Sequence, residues 1–190
     1  MFIQTEDTPN PSTIKFLPGQ PVTGGAPVDV PTMEDADKHS PLAKTLFDIS
    51  GVSSVFLGND FVSVTKAEGK EWSVLKPRIL AGIMDHYMAG LPVLNEDSAS
   101  DSNASDASRY EGLDEISLQI KEILDERVRP AVAMDGGDIV FDRFEGGIVY
   151  LEMRGACSGC PSSTATLKMG IENMLKHFIP EVVEVQPVEA

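Results

Sequence analysis

Residues 154–163 of this chain read RGACSGCPSS, and they contain both of its cysteines, Cys157 and Cys160. The two-residue spacing brings both sulfur atoms to one side of a tight turn, where they can bind one metal centre or close a small disulfide. Gly155 and Gly159 permit the positive φ angles of such a turn, and Pro161 predicts the start of a helix. We therefore expect the cysteines to act as a unit, just ahead of a helix.

The position of the cysteine turn predicts the protonation of its thiols. The N-terminal end of a helix carries partial positive charge, which favours thiolate over thiol. Thiolate is the form of cysteine that binds metals. We therefore expect Cys157 and Cys160 to have lowered pKa values.

One C-x-x-C pair supplies half of the ligands that a metal centre of this kind usually has. Tetrahedral zinc and iron-sulfur clusters commonly have four protein ligands, and His39, His86 and His177 show no ligand spacing with the cysteines. His177, near the end of an amphipathic helix, is better explained as a partner of the helix dipole. A second copy of the chain can supply the missing pair, because two turns facing each other across a two-fold axis give four thiolates. A site shared in this way opens when the subunits separate, which suits a carrier.

Other uses of the two cysteines stay open at this point. They could form a disulfide, remain unused, or act as a thioredoxin-like redox pair. We disfavour the redox pair because dithiol enzymes place this motif in a β-α-β setting near the start of a domain, whereas here it follows a predicted antiparallel hairpin. The sequence contains no hydrolytic triad, glycine-rich phosphate loop or convincing catalytic acid pair, so we expect no enzymatic activity. The function classes, in order, are a cluster carrier, a zinc-stabilised interaction module and a dithiol oxidoreductase.

The region around the cysteine turn has the predicted order α-β-β-α-β. Apolar residues recur with helical period over 113–128, and Pro130 is expected to limit that helix. Residues 138–144 and 148–153 predict a hairpin across a Glu-Gly-Gly turn. A helix then follows the cysteines and is stopped by a proline, and residues 182–185 predict a last strand.

The N-terminal region predicts a second, compact α+β unit. The predicted elements are strands at 2–6 and 13–17, little regular structure over 18–39, a helix from Ser40 and Pro41 to Gly51, a hairpin of strands 52–57 and 61–65, and a helix over 73–88. The connector 7–12 contains Pro9 and Pro11. We interpret it as a stiff crossover between two strands rather than a ligand site.

A polar segment separates the two units. Residues 95–108 contain five serines and four acidic residues without a large apolar side chain, a composition that cannot offset the entropy of ordering. The predicted organisation is therefore an N-terminal domain over 1–92, a flexible acidic linker over 93–112 and a C-terminal cluster-binding domain over 113–190. The fold class is α+β, with two small sandwich-like domains.

The charge of the chain excludes some partners. There are 15 basic and 30 acidic residues, giving a net charge of -15, which repels nucleic acid and anionic membrane surfaces. No apolar run approaches the ~18 residues that a membrane span needs. Two cysteines are too few for a disulfide framework, and the first seven residues include two acids where a targeting peptide would carry basic residues. We expect a soluble protein in a reducing compartment.

Further motifs on both sides of the linker carry a resemblance to a known family. In the C-terminal region they are RPAV at 129–132, DGGD at 135–138, GACSGCPSS at 155–163, TLK at 166–168, GIE at 170–172 and PEV at 180–182. In the N-terminal region they are TPNPS at 8–12, KF at 15–16, PG at 18–19, SVF at 54–56 and DFVSV at 60–64. With these motifs the chain resembles the Nfu-type iron-sulfur scaffold proteins in their two-domain form, with an Nfu N-terminal domain and a NifU-like C-terminal domain.

The resemblance implies a function that the spacing alone does not give. It implies a [4Fe-4S] cluster held between two protomers by Cys157 and Cys160 of each, with [2Fe-2S] or zinc as alternatives, and delivered to apo iron-sulfur proteins. Upstream cluster-assembly proteins are the other expected partners. Mitochondrial members of the family carry a presequence, which is not seen here, so we expect a bacterial cytoplasm, or the mitochondrial matrix if a presequence has been removed.

Overall fold

The structure is a computed structural model that describes residues 1–95, 112–159 and 161–188, with residues 161–163 described by their backbone alone. The described part has mixed α+β architecture in two domains, which confirms the predicted fold class. Most of the predicted linker, residues 96–111, lies outside the described residues, as does Cys160.

The N-terminal domain is an antiparallel sheet with helices packed on one face. Its strands are β1 Gln4–Asp7, β2 Thr13–Leu17, β3 Val28–Val30, β4 Val52–Leu57 and β5 Val62–Lys66, and its helices are α1 Met33–His39, α2 Pro41–Phe47 and α3 Trp72–Met88. The sheet order is β1-β2-β5-β4-β3. Leu75, Ile79 and Ile83 recur every four residues on α3 and are fully buried against the sheet, as the helical period predicts.

The prediction of little regular structure over 18–39 is wrong. β3 and α1 lie in this region. The side chain of Thr32 caps α1 by accepting a hydrogen bond from the Asp35 amide at 3.2 Å, a capping signal that the prolines of the region obscured. β3 has three residues, too few for an alternating pattern to be recognised.

The C-terminal domain contains helix α4 Glu115–Ile123, a π-helical turn at Leu124–Val128, helix α5 Arg129–Met134, strands β6 Gly137–Glu145 and β7 Ile148–Gly155, helix α6 Pro161–Phe178 and strand β8 Glu184–Val188. The sheet order is β6-β7-β8, with β7 antiparallel to β6 and parallel to β8. The predicted α-β-β-α-β order is confirmed, with the first helix divided into segments.

Pro130 does not end the first helical region, contrary to the prediction. The chain passes through the wide π turn and continues helically to Met134. Pro130 lies at the start of α5, where proline is tolerated because the first N–H groups of an α-helix have no partner within that helix.

Candidate functional site

The cysteine turn is the link between β7 and α6. β7 ends at Gly155, which has φ of 61°, and Gly159 has φ of 76°, so both glycines take the left-handed conformation expected from the sequence. The amide of Cys157 donates to the Arg154 carbonyl at 3.3 Å, and the amide of Ser158 donates to the Gly155 carbonyl at 3.1 Å. These bonds close the backbone into a compact turn that starts at the end of the strand.

Two further contacts hold the turn against the rest of the domain. The Thr164 hydroxyl in the first turns of α6 donates to the Cys157 carbonyl at 3.1 Å. The Ala156 amide donates to the carbonyl of Gly136 at 3.2 Å, in the loop between α5 and β6. The turn is therefore fixed to both the preceding loop and the following helix.

Gly137 provides the space that the Cys157 side chain occupies. It is the first residue of β6 and pairs with Gly155. A Cβ atom at position 137 would overlap Cys157 Sγ and would lie 2.9 Å from both the Arg154 carbonyl oxygen and the Cys157 amide nitrogen. The position of the sulfur thus depends on a residue without a side chain, which explains the second glycine of the DGGD motif.

Cys157 is a buried thiol in the C-terminal core. Its exposed fraction is 4%, and burial, followed by the nearby carboxylates of Asp138 and Asp135, raises the pKa of the Cys157 thiol to about 12. The expected lowering is therefore wrong for Cys157, because desolvation penalises the thiolate more than the helix end favours it. At neutral pH Cys157 is protonated in this conformation, and metal binding has to displace the proton.

An ion pair lies directly beside the cysteine turn. Arg129 Nε and Nη2 donate to the two carboxylate oxygens of Asp138, each at 2.9 Å, and Arg129 Nη1 donates to Asp125 at 3.2 Å. Asp138 is 4% exposed, and its hydrogen bonds raise the pKa of Arg129. The pair ties α5 to the start of β6 and keeps a buried carboxylate compensated next to Gly137. Arg129 belongs to the RPAV motif and Asp138 to the DGGD motif, but the sequence did not predict that the two residues pair.

The connector between β1 and β2 reaches the cysteine turn, which the sequence did not predict. The side chain of Asn10 donates from Nδ2 to the Ser158 carbonyl at 3.0 Å, across 148 residues of sequence. Ser158 lies between the two cysteines, so the N-terminal domain contacts the motif itself. The interpretation of this connector as no more than a crossover is incomplete.

The histidines do not complete a metal site in the described residues. Within residues 1–95, 112–159 and 161–188, no group of three or more His, Cys, Asp and Glu side chains is arranged to hold a metal ion. His86 is buried in the N-terminal domain, where its Nε2 lies 3.1 Å from the Pro92 carbonyl, and His177 lies in the last turn of α6 against the Phe178 ring.

Among the helices in the described residues, none is long and apolar enough to cross a membrane.

The position of the cysteine turn in the fold does not oppose a dithiol function, contrary to the prediction. Because β8 is parallel to β7, the cysteine turn lies at the first junction of a β7-α6-β8 unit, which is a β-α-β setting. What opposes a dithiol function in this structure is the raised pKa of Cys157, since an attacking cysteine must be available as thiolate.

Comparison with known proteins gives two family matches, one in each domain. A family described as "Scaffold protein Nfu/NifU N terminal" matches residues 3–90. A family described as "NifU-like domain" matches residues 120–186. The second match includes the cysteine turn and the Arg129–Asp138 pair.

Individual relatives match nearly the whole chain. The chain is 53% identical to the "NFU1 iron-sulfur cluster scaffold homolog, mitochondrial" of Drosophila sechellia over 189 residues, which is 99% of this chain and 65% of that protein. The protein of the same description from Drosophila ananassae is 52% identical over 99% of this chain and 64% of its own length. The chain thus spans slightly less than two-thirds of the length of these relatives. Among solved structures, a NifU-like protein from Saccharomyces cerevisiae is 27% identical, with a TM-score of 0.46 over 50% of this chain and 86% of that one.

The comparisons contradict the predicted bacterial cytoplasm. These fly relatives are described as mitochondrial. The prediction depended on the composition of the first seven residues, and in a chain that spans about 65% of its relatives' length those residues carry no information about targeting.

Proposed function

The chain belongs to the family of Nfu-type iron-sulfur scaffold proteins, and from this premise we propose that it carries a [4Fe-4S] cluster between two copies of itself and transfers it to apo iron-sulfur proteins. Cys157 and Cys160 of each copy are the proposed ligands. The cluster is cargo, and the protein acts as a carrier without catalytic chemistry of its own. In keeping with its relatives, we propose that it works in mitochondria.

The number of cysteines carries the proposal. The whole chain has two, and a [4Fe-4S] cluster is usually held by four thiolates. A pair of identical turns related by a two-fold axis supplies four thiolate ligands in two symmetry-related pairs, because each subunit presents the same surface to the other. The shared site is therefore the simplest arrangement by which this sequence can hold such a cluster.

The geometry of the turn is suited to reversible binding. Cys157 is fixed through its backbone by hydrogen bonds from the Thr164 hydroxyl and to the Arg154 carbonyl, while Ser158 and Gly159 are exposed to solvent. A rigid attachment beside an exposed loop allows a second turn to approach. During transfer, thiolates of the acceptor replace those of Cys157 and Cys160 one at a time, and the released sulfur of Cys157 takes up a proton as it becomes buried again.

Anaerobic reconstitution tests the proposal. The metal-free full chain is incubated with ferric iron, sulfide and a thiol reductant that reduces half of the iron, and bound iron, bound sulfide and molar mass are measured. We expect about two iron ions and two sulfides per chain in a dimer, with the broad visible absorption of a [4Fe-4S] cluster. Mixing the holo dimer with an apo enzyme that requires such a cluster should restore that enzyme's activity and return the carrier to its metal-free form.

Substitutions identify the ligands. Cys157→Ser and Cys160→Ser should each lose the cluster and the metal-dependent dimer together, whereas Ser158→Ala, in the same turn, should keep both. A Cys160→Ser protein that still dimerises with full iron content contradicts the shared site. A colourless dimer with one zinc ion per two chains would instead support the zinc-stabilised interaction module.

A further inference from the structure

We propose that the N-terminal domain is an intramolecular clamp on the cysteine turn. In the cluster-free chain, one face of its sheet binds the two loops that surround Cys157, and these loops have to be released before two chains can share a cluster. The clamp itself is independent of cargo, and its inhibitory effect on cluster binding rests on the proposed function.

The binding face is a row of side chains that runs across the whole N-terminal sheet. The strand register places one residue of each strand in this row, in the order Glu6, Lys15, Ser63, Phe56 and Asp29. Their neighbours along the strands, such as Phe16 and Val62, belong to the core beneath the helices, so the row lies on the opposite face of the sheet.

This face would be exposed if nothing covered it, yet its centre is buried. The exposed fractions are 7% for Lys15, 1% for Ser63 and 2% for Phe56. Isolated lysine and serine side chains are rarely buried to this extent unless they are paired. The C-terminal domain provides the cover.

Polar side chains of the N-terminal domain bind main-chain oxygens of the C-terminal domain. The hydrogen bonds run from Lys15 Nζ to the Met134 carbonyl at 3.0 Å, from Ser63 Oγ to the Gly136 carbonyl at 2.6 Å, and from Asn10 Nδ2 to the Ser158 carbonyl at 3.0 Å. The acceptors belong to the last residue of α5, to the loop between α5 and β6, and to the cysteine turn. The clamp therefore binds the backbone in two places near Cys157, at residues 134–136 and at Ser158.

The connector of β1 and β2 is built to present Asn10. The Asn10 side-chain oxygen accepts a hydrogen bond from the Ser12 backbone amide at 3.0 Å, and the Asn10 backbone amide donates one to the Thr8 hydroxyl at 3.2 Å. Because the side-chain oxygen is bound inside the connector, the side-chain nitrogen is directed outward, to Ser158. This explains the TPNPS motif, for which the cluster-carrier function alone provides no role.

The clamp acts on the arrangement that buries the thiol. The Gly136 carbonyl accepts both from the Ala156 amide of the cysteine turn at 3.2 Å and from Ser63. Phe56 lies over Gly155, where an added Cβ would be 2.9 Å from the ring. These contacts hold the two loops together around Cys157, which is 4% exposed. A cysteine that binds a cluster must instead bring its sulfur into bonding contact with an iron that is shared with a second chain, so the loops have to open.

The interface has the character of a reversible contact. Beside the Phe56 ring lies a cavity of about 390 Å³ that extends between the domains to Arg129 and Asp138. Contacts that rely on hydrogen bonds and leave unfilled space are typical of domains that separate, in contrast to a continuous apolar core. The clamp can therefore open without unfolding either domain.

The test measures access to Cys157 in the complete metal-free chain. Cys160→Ser leaves Cys157 as the sole thiol, and its alkylation rate with iodoacetamide is compared with and without Ser63→Ala and Lys15→Met. Removing these two hydrogen bonds should shift the closed–open equilibrium, and raise the alkylation rate, by about tenfold, and small-angle scattering should show a larger radius of gyration. Circular dichroism verifies that both domains stay folded.

Thr65→Ala is the matched control. Thr65 lies two residues from Ser63 on the same strand, and its hydroxyl bonds to Thr13 within the N-terminal domain. The alkylation rate of the Thr65→Ala protein should stay within about twofold of the parent rate, since the hydrogen bond that is removed lies within the N-terminal domain. An unchanged rate and radius in the Ser63→Ala/Lys15→Met protein, or an equal rise in the Thr65→Ala control, overturns the clamp.

A second measurement separates the clamp from the proposed function. With both cysteines present, Ser63→Ala/Lys15→Met should take up iron and sulfide faster than the parent and reach the same final content. Slower uptake would overturn the inhibitory role. If neither protein takes up a cluster but alkylation still accelerates, the proposed function fails and the clamp stands.

Discussion

Gly137→Ala gives a direct test of how the cysteine turn is packed. Gly137 has no positive φ that would strain an alanine, so the effect of the substitution is steric. The new Cβ overlaps Cys157 Sγ and lies 2.9 Å from two backbone atoms, the Arg154 oxygen and the Cys157 nitrogen. The sulfur can rotate away, but the backbone atoms must move by roughly half an ångström to reach ordinary contact.

The expected cost follows from two opposing terms. Forcing a methyl group into a packed site costs about 1 to 3 kcal/mol, and here the obstruction is backbone, which favours the upper part of that range. Replacing glycine by alanine returns about 0.5 to 1 kcal/mol by restricting the unfolded chain. We expect a net loss of about 2 kcal/mol in the free energy of unfolding of the C-terminal domain.

Gly170→Ala is the control for this substitution. Gly170 is exposed within α6, and no atom lies within 4 Å of its added Cβ, so the same chemical change should stabilise by about 0.5 to 1 kcal/mol. Urea unfolding of the metal-free chain by far-ultraviolet circular dichroism measures both variants. Fluorescence of Trp72, which lies in the N-terminal domain, reports separately on the domain that is left unchanged.

The two glycine substitutions are expected to change the free energy of unfolding in opposite directions. Gly137→Ala should unfold at lower urea than the parent and Gly170→Ala at higher urea. If Gly137→Ala were as stable as Gly170→Ala, Cys157 would not be packed on Gly137, and the account of the DGGD motif would be wrong.

Further substitutions test three separate features: a helix cap, a buried ion pair and a buried carboxyl group. Ser40 is the buried N-cap of α2, and its hydroxyl accepts a hydrogen bond from the Ala43 amide and donates one to the Val93 carbonyl. Ser40→Ala should lower the free energy of unfolding, measured by chemical unfolding, by about 2 kcal/mol, whereas Thr32→Ala at the exposed cap of α1 should lower it by about 1 kcal/mol. Arg129→Ala leaves the buried carboxylate of Asp138 without its guanidinium partner and should lower the free energy of unfolding by about 3 kcal/mol. Arg129→Lys should recover part of this loss. An unchanged unfolding midpoint in Arg129→Ala would argue against a stabilising ion pair. Burial raises the pKa of Asp29 from 3.8 to about 6, so the contribution of this carboxyl group to stability is present below about pH 4 and is lost as the pH rises through 6. Asp29→Asn should therefore weaken the pH dependence of the free energy of unfolding and stabilise the protein at pH 7.5, as measured by unfolding curves at several pH values. If the variant and the parent showed the same pH dependence, the raised pKa would be contradicted.

The elements that the sequence predicted well are those whose signals are local. α3 and α6 have long apolar faces, and the β4–β5 hairpin has β-branched runs around a Gly-Asn-Asp turn. The period and the turn residues are sufficient for such elements. The cysteine turn belongs to this group, since its glycines and the proline after it specify the backbone locally.

The features that the sequence did not predict depend on distant parts of the chain. The bond from Asn10 to Ser158 has no local signature, since the partners are brought together by the packing of one domain on the other. The pKa of Cys157 was predicted with the wrong sign because the helix start is visible in the sequence, whereas burial and the carboxylate of Asp138 are not. The π turn before Pro130 likewise depends on a shift in backbone register that composition does not encode.

The main-chain oxygens at the domain interface affect how the two halves of the chain can change. The acceptors at Met134, Gly136 and Ser158 are carbonyl groups, which every amino acid possesses. A chimaera that joins this N-terminal half to the C-terminal half of a distant homologue would retain its docking hydrogen bonds wherever the loop backbones superimpose. Such main-chain recognition frees the two halves from the paired substitutions that side-chain recognition would demand.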